Sequence, residues 1–137
     1  MKYSLLLLRL SLGFYFAYAG LSKILNPEWT AAGFLKGAQT FKSLYAWFAL
    51  PANIGWVNFI NEWGLLVVGV LLILGFWVRY ASIAGIVFMA LYYFPSLNFP
   101  LAGEHAYIID EHIIYITALL TLIAGQAGNY LGLDGRR

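Results

Sequence analysis

Apolar runs long enough to cross a lipid bilayer, broken at only a few points, dominate this chain. The first, residues 3–25, holds two charges, Arg9 and Lys23, before Asn26-Pro27 ends it. At 1.5 Å per residue, such a run spans the roughly 30 Å hydrocarbon core of a membrane. Further runs occupy residues 57–78, 80–94 and 107–125, separated by Arg79 and Pro95 and followed by the glycine-rich tail of residues 128–135. Inside a bilayer a single segment of this length satisfies its backbone only as a helix. The expected fold is all-α and integral to the membrane, a bundle of four transmembrane helices.

Composition narrows the function classes. Of 137 residues, 62% are hydrophobic and only 10% charged, too few charges to cover a soluble surface. Disordered, coiled-coil and nucleic-acid-binding chains are excluded on the same ground. With no cysteine there is no disulfide, no thiolate nucleophile and no cysteine-held iron–sulfur cluster.

The long connection between the first two runs interleaves Phe34, Phe41, Tyr45, Trp47 and Phe48 with Lys36 and Lys42. Residues 30–50 read as an amphipathic helical segment lying at the membrane interface, with a re-entrant loop as the alternative. Lys2, the apolar run from Leu5 and Ala17-Tyr18-Ala19 resemble a signal peptide. Arg9 interrupts that apolar region, which favours a retained first span. Lys2, Arg9, Arg79, Arg136 and Arg137 fall on one side, against Lys23, Lys36 and Lys42 on the other. The expected location is the cell membrane, multi-pass, with both termini cytoplasmic.

Helical phase locates the charges that a membrane should exclude. At 100° per residue, Tyr107, Asp110, Glu111, Ile114, Thr117, Ala118, Thr121 and Gly125 share one face of the fourth span. Holding the polar and small residues, this face is expected to turn into the bundle, leaving the isoleucines and His112 toward lipid. Glu62 shares a heptad face with Gly55, Gly69 and Phe76, and so is expected inside as well. In the first span Arg9, Gly13, Phe16, Ala17 and Gly20 share a face, with Lys23 at its flank. The result is an expected cluster of Lys23 with three carboxylates, Glu62, Asp110 and Glu111. Crowded carboxylates in low dielectric share protons, which suits proton handling, though a structural ion-pair network or helix-dipole complementation fits the same residues. Arg9 lies near the opposite end, with Arg79, carbonyl groups or lipid phosphate as expected company.

His112 reads either as an amphipathic ring at headgroup depth or as a hydrogen-bond partner for a lipophilic ligand such as a quinone head group, or for a partner subunit. His105 and His112 with Glu104 or Glu111 lack a third ligand at diagnostic spacing, so neither a metal nor haem is expected.

Arg9-Leu10-Ser11-Leu12-Gly13, followed by Ala19-Gly20-Leu21-Ser22-Lys23, resembles the first helix of DoxX-like membrane proteins. The likeness is closer to their DoxD-type branch, the membrane subunit of thiosulfate:quinone oxidoreductase. Asn26-Pro27-Glu28-Trp29-Thr30, Asn61-Glu62-Trp63-Gly64-Leu65, Leu74-Gly75 with Arg79, Asp110-Glu111-His112 and Gly132-Leu133-Asp134 resemble later segments of that branch. The resemblance implies a four-helix subunit that passes electrons from a small sulfur anion, thiosulfate in some members, to a membrane quinone. A second small subunit usually accompanies it, and a homo-oligomer is the other expected assembly. Carried onto this chain, the candidate catalytic residues are Glu62, Asp110 and Glu111, and the candidate quinone-binding residues are His112, Lys23 and Arg9. A non-catalytic scaffold of a larger respiratory or envelope complex is the competing reading.

Overall fold

The computed structural model describes residues 1–136; Arg137, counted above with the basic residues of one side, lies outside them. The described residues form helices and no strand. Helix α1 (Lys2–Ile24) is followed by two short helices, α2 (Ala32–Lys36) and α3 (Lys42–Phe48). Next comes one continuous rod: α4 (Ile54–Phe59), a π-helical turn (Ile60–Gly64) and α5 (Leu65–Leu74). Helices α6 (Val78–Ser96) and α7 (Glu111–Ala124) complete the bundle, and two 3₁₀ turns, Ala127–Asn129 and Leu133–Arg136, close it. Three helices, Lys2–Ile24, Ile54–Leu74 and Val78–Ser96, are long and apolar enough to cross a membrane, whereas α7 has 14 residues.

The second rod starts and stops earlier than residues 57–78. Gly75 takes a left-handed conformation (φ +67°) that ends α5 four residues before Arg79. The α1–α5 contact explains the glycine pattern. A methyl group on Gly20 would lie 2.6 Å from the Glu62 carbonyl oxygen, and one on Gly69 would lie 2.6 Å from that of Gly13. Small residues thus bring the two backbones together, as in close transmembrane pairs. Leu12, Phe16, Leu65, Leu72, Leu119 and Leu122 fill the space where α1, α5, α6 and α7 meet.

Helix α6 runs through Pro95, one residue beyond the apolar run that ended at Phe94. Proline has no N–H to offer the carbonyl of Leu91, four residues back. The Tyr45 hydroxyl takes that place, donating to the Leu91 oxygen at 2.7 Å. This bond, with Gln39 N–H to the Pro95 carbonyl (2.9 Å) and Thr40 Oγ1 to that of Leu97 (2.6 Å), seats the 26–56 connection on the end of α6. Tyr45 is buried, and burial pushes its phenol up.

Helix α7 turns opposite to expectation. Leu119 and Leu122 are buried and His112, Ile113 and Ile116 half-buried, while Glu111, Ile114, Thr117 and Thr121 are exposed. The threonines do not need the bundle interior, because each bonds back within its own helix. Thr117 Oγ1 donates to the Ile114 carbonyl at 2.8 Å, and Thr121 Oγ1 to that of Thr117 at 2.9 Å. Self-satisfied hydroxyls stand on the exposed face at little cost, so the larger leucines take the core.

Candidate functional site

At the Arg9 end the guanidinium of Arg9 and the carboxylate of Asp134 serve the fold. Arg9 is 1% exposed and fans its guanidinium over the tail. Nη1 donates to the carbonyls of Ala127 (2.8 Å) and Tyr130 (3.1 Å), and Nη2 to that of Leu131 (3.3 Å). Asp134 caps α6: Oδ1 accepts the Trp77 N–H at 2.8 Å and Oδ2 the Val78 N–H at 2.9 Å. Its own N–H donates to the Gly75 carbonyl at 2.8 Å. The carbonyl company expected of Arg9 is therefore present. The residue stands roughly 21 Å along α1 from Lys23, too far for both to hold one small head group.

The Lys23 end is built differently. Asp110 is the N-cap of α7, and Oδ1 accepts the backbone N–H groups of His112 (2.9 Å) and Ile113 (3.3 Å). The second oxygen, Oδ2, lies 2.8 Å from His112 Nδ1. An ionised carboxylate only accepts, so Nδ1 carries the proton of that bond and Nε2 is turned away from Asp110. Among the described residues Nε2 has no protein partner. The imidazole stands edge-on to the Tyr92 ring, centroids 6.2 Å apart. Tyr92 in turn donates its hydroxyl to Asn61 Oδ1, while Asn61 Nδ2 donates to the Val57 carbonyl at 2.8 Å. Asn61 sits in the π-helical turn, a distortion that inserts an extra residue and recurs at functional sites. Lys23 Nζ donates to the Ala19 carbonyl at 3.3 Å and lies 5.4 Å above the Trp29 ring.

These side chains surround the neck between two cavities. A deep lobe of about 140 Å³ runs between Tyr15, Phe16, Ala19, Leu65 and Met89. A side lobe of about 270 Å³ lies under Trp29, Thr30, Ala31, Phe34 and Asn61. Lys23, Tyr92 and His112 border both lobes. Asn58 holds the lid of the side lobe in place, accepting the Ala31 N–H at 2.9 Å and donating to Thr30 Oγ1 at 3.0 Å. The neck can bind an oxygen-bearing head group: an ammonium with spare N–H groups on one side, an imidazole nitrogen on the other, apolar walls around both.

Only part of the expected cluster assembles. His112 pairs with Asp110 and shares the cavity wall with Lys23, not the lipid side, while Asp110 itself borders neither lobe. Glu111 is exposed on the outer side of α7, and Glu62 is half-buried in the π turn but borders neither lobe. Lys23 forms no ion pair with either glutamate; the carboxylate pairs among the described residues are His112–Asp110 and the exposed His105–Glu104 at 3.9 Å. Tyr92, Trp29 and Phe34 were missed as site residues, since aromatics near a span end read as interfacial belts. Asn61 carried a usable signal, being a polar residue within reach of an apolar helix.

No curated protein and no solved structure matches the chain. The family model described as DoxX matches residues 4–96, from the start of α1 to the end of α6. The matched stretch contains Lys23, Asn61 and Tyr92 and stops short of Asp110 and His112. Covering more than half of the chain, this match establishes that the protein belongs to the DoxX family.

Proposed function

We propose that this chain is the quinone-binding membrane subunit of an oxidoreductase, with a small sulfur anion such as thiosulfate as the electron donor. One observation carries the reading: a histidine–carboxylate pair and a lysine ammonium flank the neck of two apolar cavities at one end of a membrane bundle. A quinone is a flat apolar ring with two carbonyl oxygens, and its reduction takes up two electrons and two protons. The site fits that demand. Lys23 supplies an N–H to one carbonyl oxygen, and His112, when protonated at Nε2, supplies a donor and a proton to the other. Asp110 holds the imidazole in orientation. Two thiosulfates joined through a new sulfur–sulfur bond release the two electrons as tetrathionate forms. Exposed Lys36 and Lys42, on the same side of the membrane as Lys23, attract the anion. Glu111, exposed one residue from His112, and Glu62, beside Asn61, relay protons from water to the pair. Arg9 takes no part, its guanidinium being committed to the tail.

In this reading α7 is the fourth span, crossing a locally thinned bilayer with its polar cap, and α2 and α3 lie at the interface. Both termini face the cytoplasm, following the basic residues of the Arg9 end. Lipid surrounds the exposed apolar faces, and a second small subunit or a second copy completes the complex.

The test is binding of a benzoquinone to the purified full-length chain in lipid nanodiscs, followed by quenching of tryptophan fluorescence, since Trp29 lines the side lobe. We expect saturable quenching, weakened at least tenfold in His112→Phe and in Lys23→Met. No saturable binding by the unmutated chain would sink the quinone reading and leave the scaffold. Binding without thiosulfate-dependent reduction would remove the donor alone.

A further inference from the structure

A third cavity, about 100 Å³, opens beyond the side lobe between α2, α4 and α6. Ala31, Phe34, Asn61 and Tyr92 line both, so the two are direct neighbours. Its remaining wall is hydrocarbon and aromatic, including Leu35, Phe48, Trp56, Val57 and Leu91. Four polar side chains sit at its edge, and each already holds a hydrogen bond: Tyr92 donates to Asn61, Asn61 to the Val57 carbonyl, Tyr45 to the Leu91 carbonyl and Trp56 to Asn53. With the rest of the wall hydrocarbon and aromatic, an apolar occupant suits this cavity better than water does.

We propose that this cavity holds the first part of the hydrocarbon tail of the ligand whose head group sits at Lys23 and His112. The inference rests on the quinone reading above and deepens it, since it makes the substrate a tailed lipid quinone and not a free ring. Three features keep the cavity from collapsing around nothing. Tyr45 is 2% exposed and its hydroxyl is fixed on Leu91. Phe48 stands edge-on to Trp56, centroids 6.1 Å apart, so the two rings brace each other. The Asn58 bonds to Thr30 and Ala31 hold the roof. Head-group donors on one side and a dry, braced slot on the other fix the orientation of an amphiphile before it arrives, which lowers the ordering cost of binding.

The test compares two probes on the full-length chain in nanodiscs: a benzoquinone with a ten-carbon tail, and the same ring without a tail. Affinities come from tryptophan quenching, corrected for membrane partitioning of each probe. Val57→Phe fills the slot without touching the head-group residues, and Leu35→Phe does so from the opposite wall should the first variant fail to fold. We expect either variant to weaken the tailed probe at least about tenfold, the loss of roughly two buried methylenes, and to change the tail-less ring less than about twofold. Equal effects on both probes, or none on the tailed one, would overturn the tail assignment while leaving the head-group site standing. Binding of neither probe to the unmutated chain would remove the head-group reading and this inference with it.

Discussion

Replacing Arg9 with leucine removes the three hydrogen bonds that hold the C-terminal segment, and their surroundings set the loss. The Ala127 carbonyl is fully buried, so losing its 2.8 Å donor leaves an unsatisfied acceptor costing about 1–3 kcal/mol. The Tyr130 and Leu131 carbonyls, at 3.1 and 3.3 Å, are less enclosed and recover water, so each adds about 0.5 kcal/mol. At the upper figure for Ala127 the losses reach about 4 kcal/mol, of which leucine, spared the desolvation of a charge, offsets about 1 kcal/mol. The balance is about 3 kcal/mol, on the order of a hundredfold in the opening equilibrium of the segment. Hydrogen exchange at the Asp134 amide reads that opening, because its N–H is tied to the Gly75 carbonyl. We expect its protection to fall about a hundredfold in Arg9→Leu and about tenfold in Arg9→Lys, whose compact ammonium cannot fan over three carbonyls. Quinone affinity should not change, since Lys23 stands roughly 21 Å away along α1. Unaltered protection at Asp134 in a folded Arg9→Leu protein would refute the lock.

Asp110→Asn keeps a competent helix cap and costs below about 1 kcal/mol, but it offers His112 an amide in place of an obligate acceptor. The expected outcome is a shift of the ring tautomer, seen in its nitrogen NMR shifts, with weakened quinone binding and unchanged helicity. Tyr45→Phe strands the Leu91 carbonyl and should lower stability by about 1–2 kcal/mol in a denaturant titration, loosening the 26–56 connection first. Gly20→Val drives a branched side chain into the Glu62 and Leu66 backbone. It should abolish the folded monomer in detergent, whereas Gly33→Val, with open space at its Cβ position, should be tolerated.

Periodicity and propensity made the three long helices legible, and the small-residue face of α1 was legible because close packing demands glycine at Gly13 and Gly20. The orientation of α7 was not. A stripe of Asp110, Thr117 and Thr121 looks like an inward polar face when each hydroxyl is assumed to need a partner across the bundle. The hydroxyls instead bond to carbonyls three or four residues back, which no phase argument registers. The π turn was equally invisible, because one inserted residue leaves hydropathy unchanged. Pairings such as Tyr45 with Leu91, or Tyr92 with Asn61, join elements distant in sequence and follow only from the fold.

The contrast between the two ends of the bundle separates structural from functional polar groups. At the Arg9 end the terminal nitrogens of the guanidinium and the Asp134 carboxylate are spent on backbone partners, while the Nε of Arg9 and the buried Ser82 hydroxyl have none among the described residues. A buried polar group so committed has nothing left for a ligand. At the Lys23 end the expensive groups are held but not exhausted. Lys23 spends one N–H on Ala19, and His112 spends Nδ1 on Asp110 while Nε2 remains without a protein partner. Keeping an unspent donor and an unspent acceptor beside the cavities costs stability, and such a cost persists where something else binds there. Physical economy therefore favours the Lys23–His112 neck as the site of the proposed ligand, while the guanidinium of Arg9, the more conspicuous charge in the sequence, holds the tail.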